Sequence, residues 1–96
     1  MKCVDDCHGY EINTVLDEHE KYLLRFYEMR SDGTKINGTT NEEVLAALIH
    51  RLTKLNEKLY CNYNHFAIQH LRQALMLLEM RTIDRRKREV EGTFEK

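Results

Sequence analysis

Arg81, Arg85 and Arg88 stand at positions i, i+4 and i+7 of the stretch "RTIDRRKREVEGT", residues 81–93. On a helix this spacing puts three guanidinium groups on one face, with Thr82 beside them. A guanidinium fork grips a phosphate through two parallel N–H···O bonds, which an ammonium cannot match. Such a face can hold a phosphate-bearing ligand, and a symmetric oligomer would bring matching sets together. The same residues also suit a plain helix end. Each cation near a helix C-terminus contributes about 0.3–1 kcal/mol, and Asp84 with Arg88 forms an i,i+4 ion pair. Arg86 and Lys87 are expected on the solvated side.

Other side chains with chemical capacity fit less well into a site. "CVDDCH" holds Cys3, Cys7 and His8, but its C-x3-C-H spacing has no second half, so no metal site is expected and the segment reads as an irregular arm. His50, His65 and His70 fall on helices without an H-E-x-x-H pattern. No Gly-rich phosphate loop, G-x-S-x-G elbow or oriented Cys-His pair can be read, so neither an enzyme nor a cofactor is expected. Tyr22, Phe26, Tyr27, Tyr60, Tyr63 and Phe66 could stack on bases, but they serve packing equally well.

The elements that must position these residues belong to one domain, residues 1–96. The formal net charge is −1, from 15 Lys and Arg against 16 Asp and Glu, which argues against a protein that coats nucleic acid. The charge is unevenly placed. Residues 1–40 carry five cations and eight anions, and residues 81–96 carry six and four, so the front can attract the rear, within one chain or between chains. No stretch reads as a membrane span or a secretory signal, and the odd count of three cysteines does not suggest a disulfide framework. A cytoplasmic protein with reduced thiols is expected.

Residues 1–9 show no periodicity and are expected to be irregular. Residues 10–38 read as an antiparallel β-meander, with strands near 10–16, 21–30 and 34–37 and turn signals at Asp32-Gly33 and Asn37-Gly38. A helix over Thr14–Met29 is the competing reading. Residues 39–92 read as an antiparallel two-helix hairpin. Thr39 with Glu42, or Thr40 with Glu43, makes a capping box. Val44, Leu45, Leu48, Ile49, Leu52, Leu55 and Leu59 then recur at helical spacing. "CNYN" (61–64) is the expected connection, and Ala67, Ile68, Leu71, Leu75, Leu78 and Thr82 form the inner stripe of a longer second helix without a breaker before Gly92. That helix should overshoot its partner, and its projecting end is the arginine stretch. The fold class is α+β, and a domain this small gains from association with copies of itself.

The runs "NGTTNEEVLAALIHRL" and "NYNHFAIQHLRQALMLLEMRTIDRRKREVEGT" resemble the helical-hairpin domain of bacteriophage immune-evasion proteins, the anti-CBASS and anti-Thoeris sponges. The resemblance covers roughly Asn37 to Thr93. It implies a non-enzymatic viral protein, a homo-oligomer of dimers or hexamers, acting in the cytoplasm of the infected bacterial host. Its partner would be a nucleotide second messenger, either a cyclic oligonucleotide or a cyclic ADP-ribose isomer. The messenger would be held intact between protomers, so that host anti-phage signalling is blocked. The matching polar positions are Asn64, Arg81, Thr82, Arg85 and Arg88, with Arg51 on the first helix. The chain departs from the family's ending at Glu89, where glycine follows the last arginine. Two other readings stay open: a nucleic-acid-binding phage accessory protein using "RRKR", and an inhibitor whose arginines face an acidic host protein.

Overall fold

Tyr10 and Ile12 alternate with polar neighbours, and Tyr22 and Leu24 fall two apart in a run of aromatic and aliphatic residues, a composition that suits paired strands. In the computed structural model, which describes residues 1–88, they lie on two antiparallel strands. These are β2 (Gly9–Asn13) and β3 (Lys21–Arg25), with Tyr10 opposite Leu24 and Ile12 opposite Tyr22. The competing helix over Thr14–Met29 does not form.

The first expected strand stops at Asn13 because the Thr14 hydroxyl turns back into the loop. It donates to the Asp17 carbonyl at 2.7 Å and lies 3.0 Å from the Glu20 carbonyl. The Asp17 carboxylate accepts the His19 N–H at 2.8 Å, a local closure typical of Asx turns.

Two features of the N-terminal unit differ from the sequence reading. Residues 2–5 form a strand, β1 (Lys2–Asp5), paired antiparallel with β2, where an irregular arm was expected. Cys3 faces Tyr10 in that ladder, and the backbone groups of so short a segment find partners there that hydropathy does not announce. The expected strand over 21–30 is also broken. At Phe26 the chain leaves β3. The Phe26 N–H donates to the His8 carbonyl (2.7 Å) and the Tyr27 N–H to the Thr39 carbonyl (2.9 Å). Beyond this switch, β4 (Glu28–Met29) and β5 (Lys35–Ile36) form a separate small hairpin. Asp32-Gly33 closes it as expected. Gly33 has φ 87°, and the Asp32 carboxylate accepts the Thr34 N–H at 2.8 Å. Asn37-Gly38 is not a turn but the run-in to the helices.

Arg25 ties the unit together. Its guanidinium donates to the Asp5 carboxylate and, at 2.9 Å, to Glu28, which also accepts from Arg30 at 3.2 Å. The bond from Arg25 holds the Asp5 carboxyl below the usual carboxylate range, and Asp5 holds Arg25 above its own. Asp32 is lowered as well, by its hydrogen bonds from Thr34. A depressed carboxylate pKa contributes stability that is complete above the unfolded value of about 4 and is lost as pH falls through the folded value. The urea midpoint is therefore expected to hold from pH 7 to 5 and to fall below pH 4. Asp5→Asn should lower the midpoint at pH 7 and flatten the acid-side fall. An unchanged acid-side fall in that variant would remove Asp5 as its source.

The backbone divides into two compact units, Met1–Thr40 and a helical unit beginning at Asn41. In the helical unit α1 spans Asn41–Lys58 and α2 spans Asn62–Lys87. Thr40 precedes the first helical residue and Glu43 is the third, which are the positions of a capping box. Glu42 and Glu43 lie in the first turn and Lys58 in the last, in line with the helix dipole. The connection is 59–61, earlier than "CNYN". Asn56 of α1 accepts the Cys61 N–H at 2.8 Å, and the Cys61 carbonyl receives the His65 N–H at 3.0 Å, so α2 begins on a loop already fixed by α1. None of the described helices is long and apolar enough to cross a membrane.

Candidate functional site

The inner face of α2 follows an alternating three-four spacing. Cys61, Asn64, Ile68, Leu71, Leu75, Leu78, Thr82 and Arg85 are all buried or half-buried, while most of the residues between them are exposed. On α1, Leu45, Ile49, Leu52 and Asn56 repeat the same spacing. This is the seam of a short antiparallel coiled coil. Ile68 is its one buried apolar residue among those described, and the seam turns polar at both ends. Ala67, Leu48, Leu55 and Leu59, expected on the inner faces, point outward instead.

The arginine face divides. Arg85 lies on the seam and is only 6% exposed, whereas Arg81 and Arg88 are exposed. The reason is angular. Arg85 falls three residues after Thr82 and so continues the inner stripe, while Arg81 is rotated off it. Arg88 follows the last helical turn as its C-cap, and its guanidinium pairs with Asp84 at 3.0 Å, the helix-end role its position allowed. Glu89 and the expected extension to Gly92 lie outside the described residues.

With 26 residues against 18, α2 measures roughly 39 Å and α1 roughly 27 Å. Thr82 and Arg86 share a concavity of about 330 Å³ with Glu42, in the first turn of α1. Arg81 and Thr82 therefore lie level with the start of α1, and only about the last turn of α2 projects beyond it. Arg86 is exposed, as expected, and it also borders the same concavity as Thr82.

Asn64 and Arg51 are not brought to this end. Asn64 sits in the first turn of α2, and the 17 residues from it to Arg81 correspond to roughly 25 Å of helix. Arg51 is exposed near the middle of α1. One chain cannot close Asn64 and Arg81 around a single small molecule.

Near the closed end of the hairpin, a second concavity of about 340 Å³ is lined by Thr53, Asn56 and Tyr60 together with His65, Gln69 and Arg72. His65 Nε2 lies 3.3 Å from the Gln69 amide, and its ring packs edge-on to Phe66 and tilted against Tyr60. The Thr53 hydroxyl is buried without a hydrogen-bond partner among the described residues. Sequence reasoning missed Arg72, the cation of this group. The available signal was the polar pair Thr53 and Asn56, on the inner side of an otherwise apolar α1 stripe. Both concavities have the size of small-molecule sites.

The face of α2 opposite its seam carries Phe66, Met76, Leu77, Met80 and Ile83, each more than half exposed. A helix apolar on two sides leaves one side uncovered by a single partner helix.

A family model described as Acb2/Tad1, hairpin domain, matches residues 16–82. The match takes in all of α1 and α2 as far as Thr82. Arg51, Asn64, Arg81 and Thr82 lie inside it, and Arg85 and Arg88 lie beyond it. Among characterised proteins the chain is similar to "Thoeris anti-defense 1" of Bacillus phage SBSphiJ7, with 46% identity over 61 residues. That alignment covers 62% of this chain and 43% of the relative, so the chain spans less than half of the relative's length.

Proposed function

Because the chain belongs to the family of the Acb2/Tad1 hairpin domain, we propose that it is a bacteriophage immune-evasion protein that sequesters a nucleotide second messenger without cleaving it. The observation that carries this reading is the match over residues 16–82, joined to a relative named for anti-defence against Thoeris. The messenger is a cyclic oligonucleotide or a cyclic ADP-ribose isomer, and the protein acts in the cytoplasm of the infected host.

Sequestration has a physical requirement. A titrating protein must bind its signal at nanomolar strength, about −12 kcal/mol. Arginine forks and near-complete enclosure supply that for a phosphate ligand. The separation of Asn64 from Arg81 along α2 supports a site shared between protomers, and the uncovered apolar face of α2 supports a homo-oligomer. Arg81, Thr82, Arg85 and Arg88 from one protomer, with Asn64 and Arg51 from others, are the ligand-binding residues in this reading.

Calorimetry and thermal shift against cyclic dinucleotides, cyclic trinucleotides and cyclic ADP-ribose isomers are expected to show one tight class. A ligand at a hundredfold its Kd stabilises the fold by about 2.7 kcal/mol. Heating the complex should release the ligand chemically unchanged. Silence across all three classes would sink the proposal, and release of a cleaved product would make the protein a hydrolase instead.

A further inference from the structure

The function above leaves Cys3, Cys7 and His8 unused, and the fold brings them together. Strands β1 and β2 are joined by Asp6, Cys7 and His8, and the turn is closed by the His8 N–H donating to the Asp5 carbonyl at 2.6 Å. Within it Cys7 has φ 58°, the left-handed region that glycine and asparagine usually fill. This conformation folds Cys7 back over β1. Its N–H points at the Cys3 Sγ at 3.4 Å, and its own Sγ lies 3.6 Å from His8 Nε2. Both thiols are exposed. The third, Cys61, is half-buried at the start of α2. Among the described residues no group of three or more His, Cys, Asp or Glu side chains is placed to hold a metal ion.

We propose that Cys3 and Cys7 are a reversible thiol-oxidation site, which closes a disulfide across the β1–β2 turn when the protein meets a hydroperoxide. His8 takes the Cys7 thiol proton, and the thiolate attacks the peroxide. A sulfur–oxygen bond forms, the oxygen–oxygen bond breaks, and the departing oxygen takes up the proton and leaves as alcohol or water. The Cys3 sulfur then attacks Cys7. The sulfur–sulfur bond forms, the sulfur–oxygen bond breaks, and hydroxide leaves with the Cys3 proton as water. Two thiols have lost two electrons and two protons, and the peroxide has gained them. An exposed thiol beside an imidazole and a second thiol within reach are what such a sensor requires, and intracellular disulfides are mostly of this transient kind. The turn already brings the Cys7 backbone within 3.4 Å of the Cys3 sulfur, which places the two side chains in the same neighbourhood that a disulfide requires.

The test uses the full chain, reduced and then treated with one equivalent of hydrogen peroxide. Intact mass should fall by two hydrogens, and alkylatable thiols should fall from the three present to Cys61 alone. Peptide mapping should link Cys3 to Cys7, and dithiothreitol should restore all three thiols. Cys61→Ser should behave identically. Cys3→Ser should instead accumulate a sulfenic acid at Cys7 that a cyclic 1,3-diketone traps, and His8→Ala should slow the reaction about tenfold. A linkage to Cys61, a cross-linked dimer, or overoxidation of Cys7 without a link would overturn the proposal.

Discussion

Gly38→Ala is expected to destabilise the N-terminal unit by about 1–3 kcal/mol, the range for forcing an extra methyl into a packed site. A Cβ at position 38 would lie 2.6 Å from both the Phe26 carbonyl oxygen and the Tyr27 nitrogen, with the Phe26 carbonyl carbon nearer still. These are backbone atoms, so no rotamer can relieve the clash. They also sit beside two long-range backbone hydrogen bonds, Tyr27 N–H to the Thr39 carbonyl and Thr39 N–H to the Arg25 carbonyl, each 2.9 Å. Pushing the segments apart would break the contact that carries the chain from the sheets toward α1. Gly33 is the matched control. It has φ 87° but open space around its Cα, so Gly33→Asn, which tolerates that conformation, should cost only a few tenths of a kcal/mol. Urea unfolding of the two variants separates steric exclusion from conformational freedom. Equal midpoints would mean that the chain around Gly38 accommodates a methyl group without loss.

Both glycines were visible in the sequence as members of turn-like dipeptides, and only one of them turns. Asp32-Gly33 was readable because its role is local: a left-handed glycine and a carboxylate that caps Thr34 two residues on. Gly38 was not, because its role depends on Phe26, twelve residues earlier. The same division runs through the rest of the fold. The helices were legible because three-four spacing and acidic first turns are local signals. Strand β1 was missed because its partner, not its composition, makes it a strand. The break at Phe26 was missed because residues 21–30 keep a strand-like composition while the backbone changes partners. At the site, the spacing of Arg81, Arg85 and Arg88 suggested one shared helix face, but helical spacing alone does not say where the buried stripe runs or where the helix ends. Only the seam register assigns Arg85 to the inside. Arg72 was invisible for a related reason, since its neighbours come from α1.

The division between Arg81 and Arg85 makes the second large prediction. Arg85 is 6% exposed on the seam, so Arg85→Ala removes a buried charged group together with its interactions, at a cost of about 1.5–3 kcal/mol. Its melting temperature should fall with or without ligand. Arg81 is exposed, and Arg81→Ala should leave the melting temperature of the free protein unchanged. If Arg81 supplies an enclosed fork to a phosphate in the assembled protein, its loss costs about 2–5 kcal/mol of binding, a factor of at least about 30 in Kd. Arg81→Lys keeps the charge but not the fork and should recover only part of the affinity. Arg88→Ala loses an ion pair with Asp84 on a half-exposed helix end, worth no more than about 0.5 kcal/mol, so its melting temperature should stay near the parent's and any larger loss of affinity would report its contact with the ligand. The three arginines, equivalent by sequence spacing, thus differ in burial and pairing, and the two measurements should separate them. Calorimetry and melting on the same samples read the two axes independently. An Arg81→Ala protein that binds the messenger as tightly as the parent would remove the exposed arginine from the site and leave the seam as the remaining place to look.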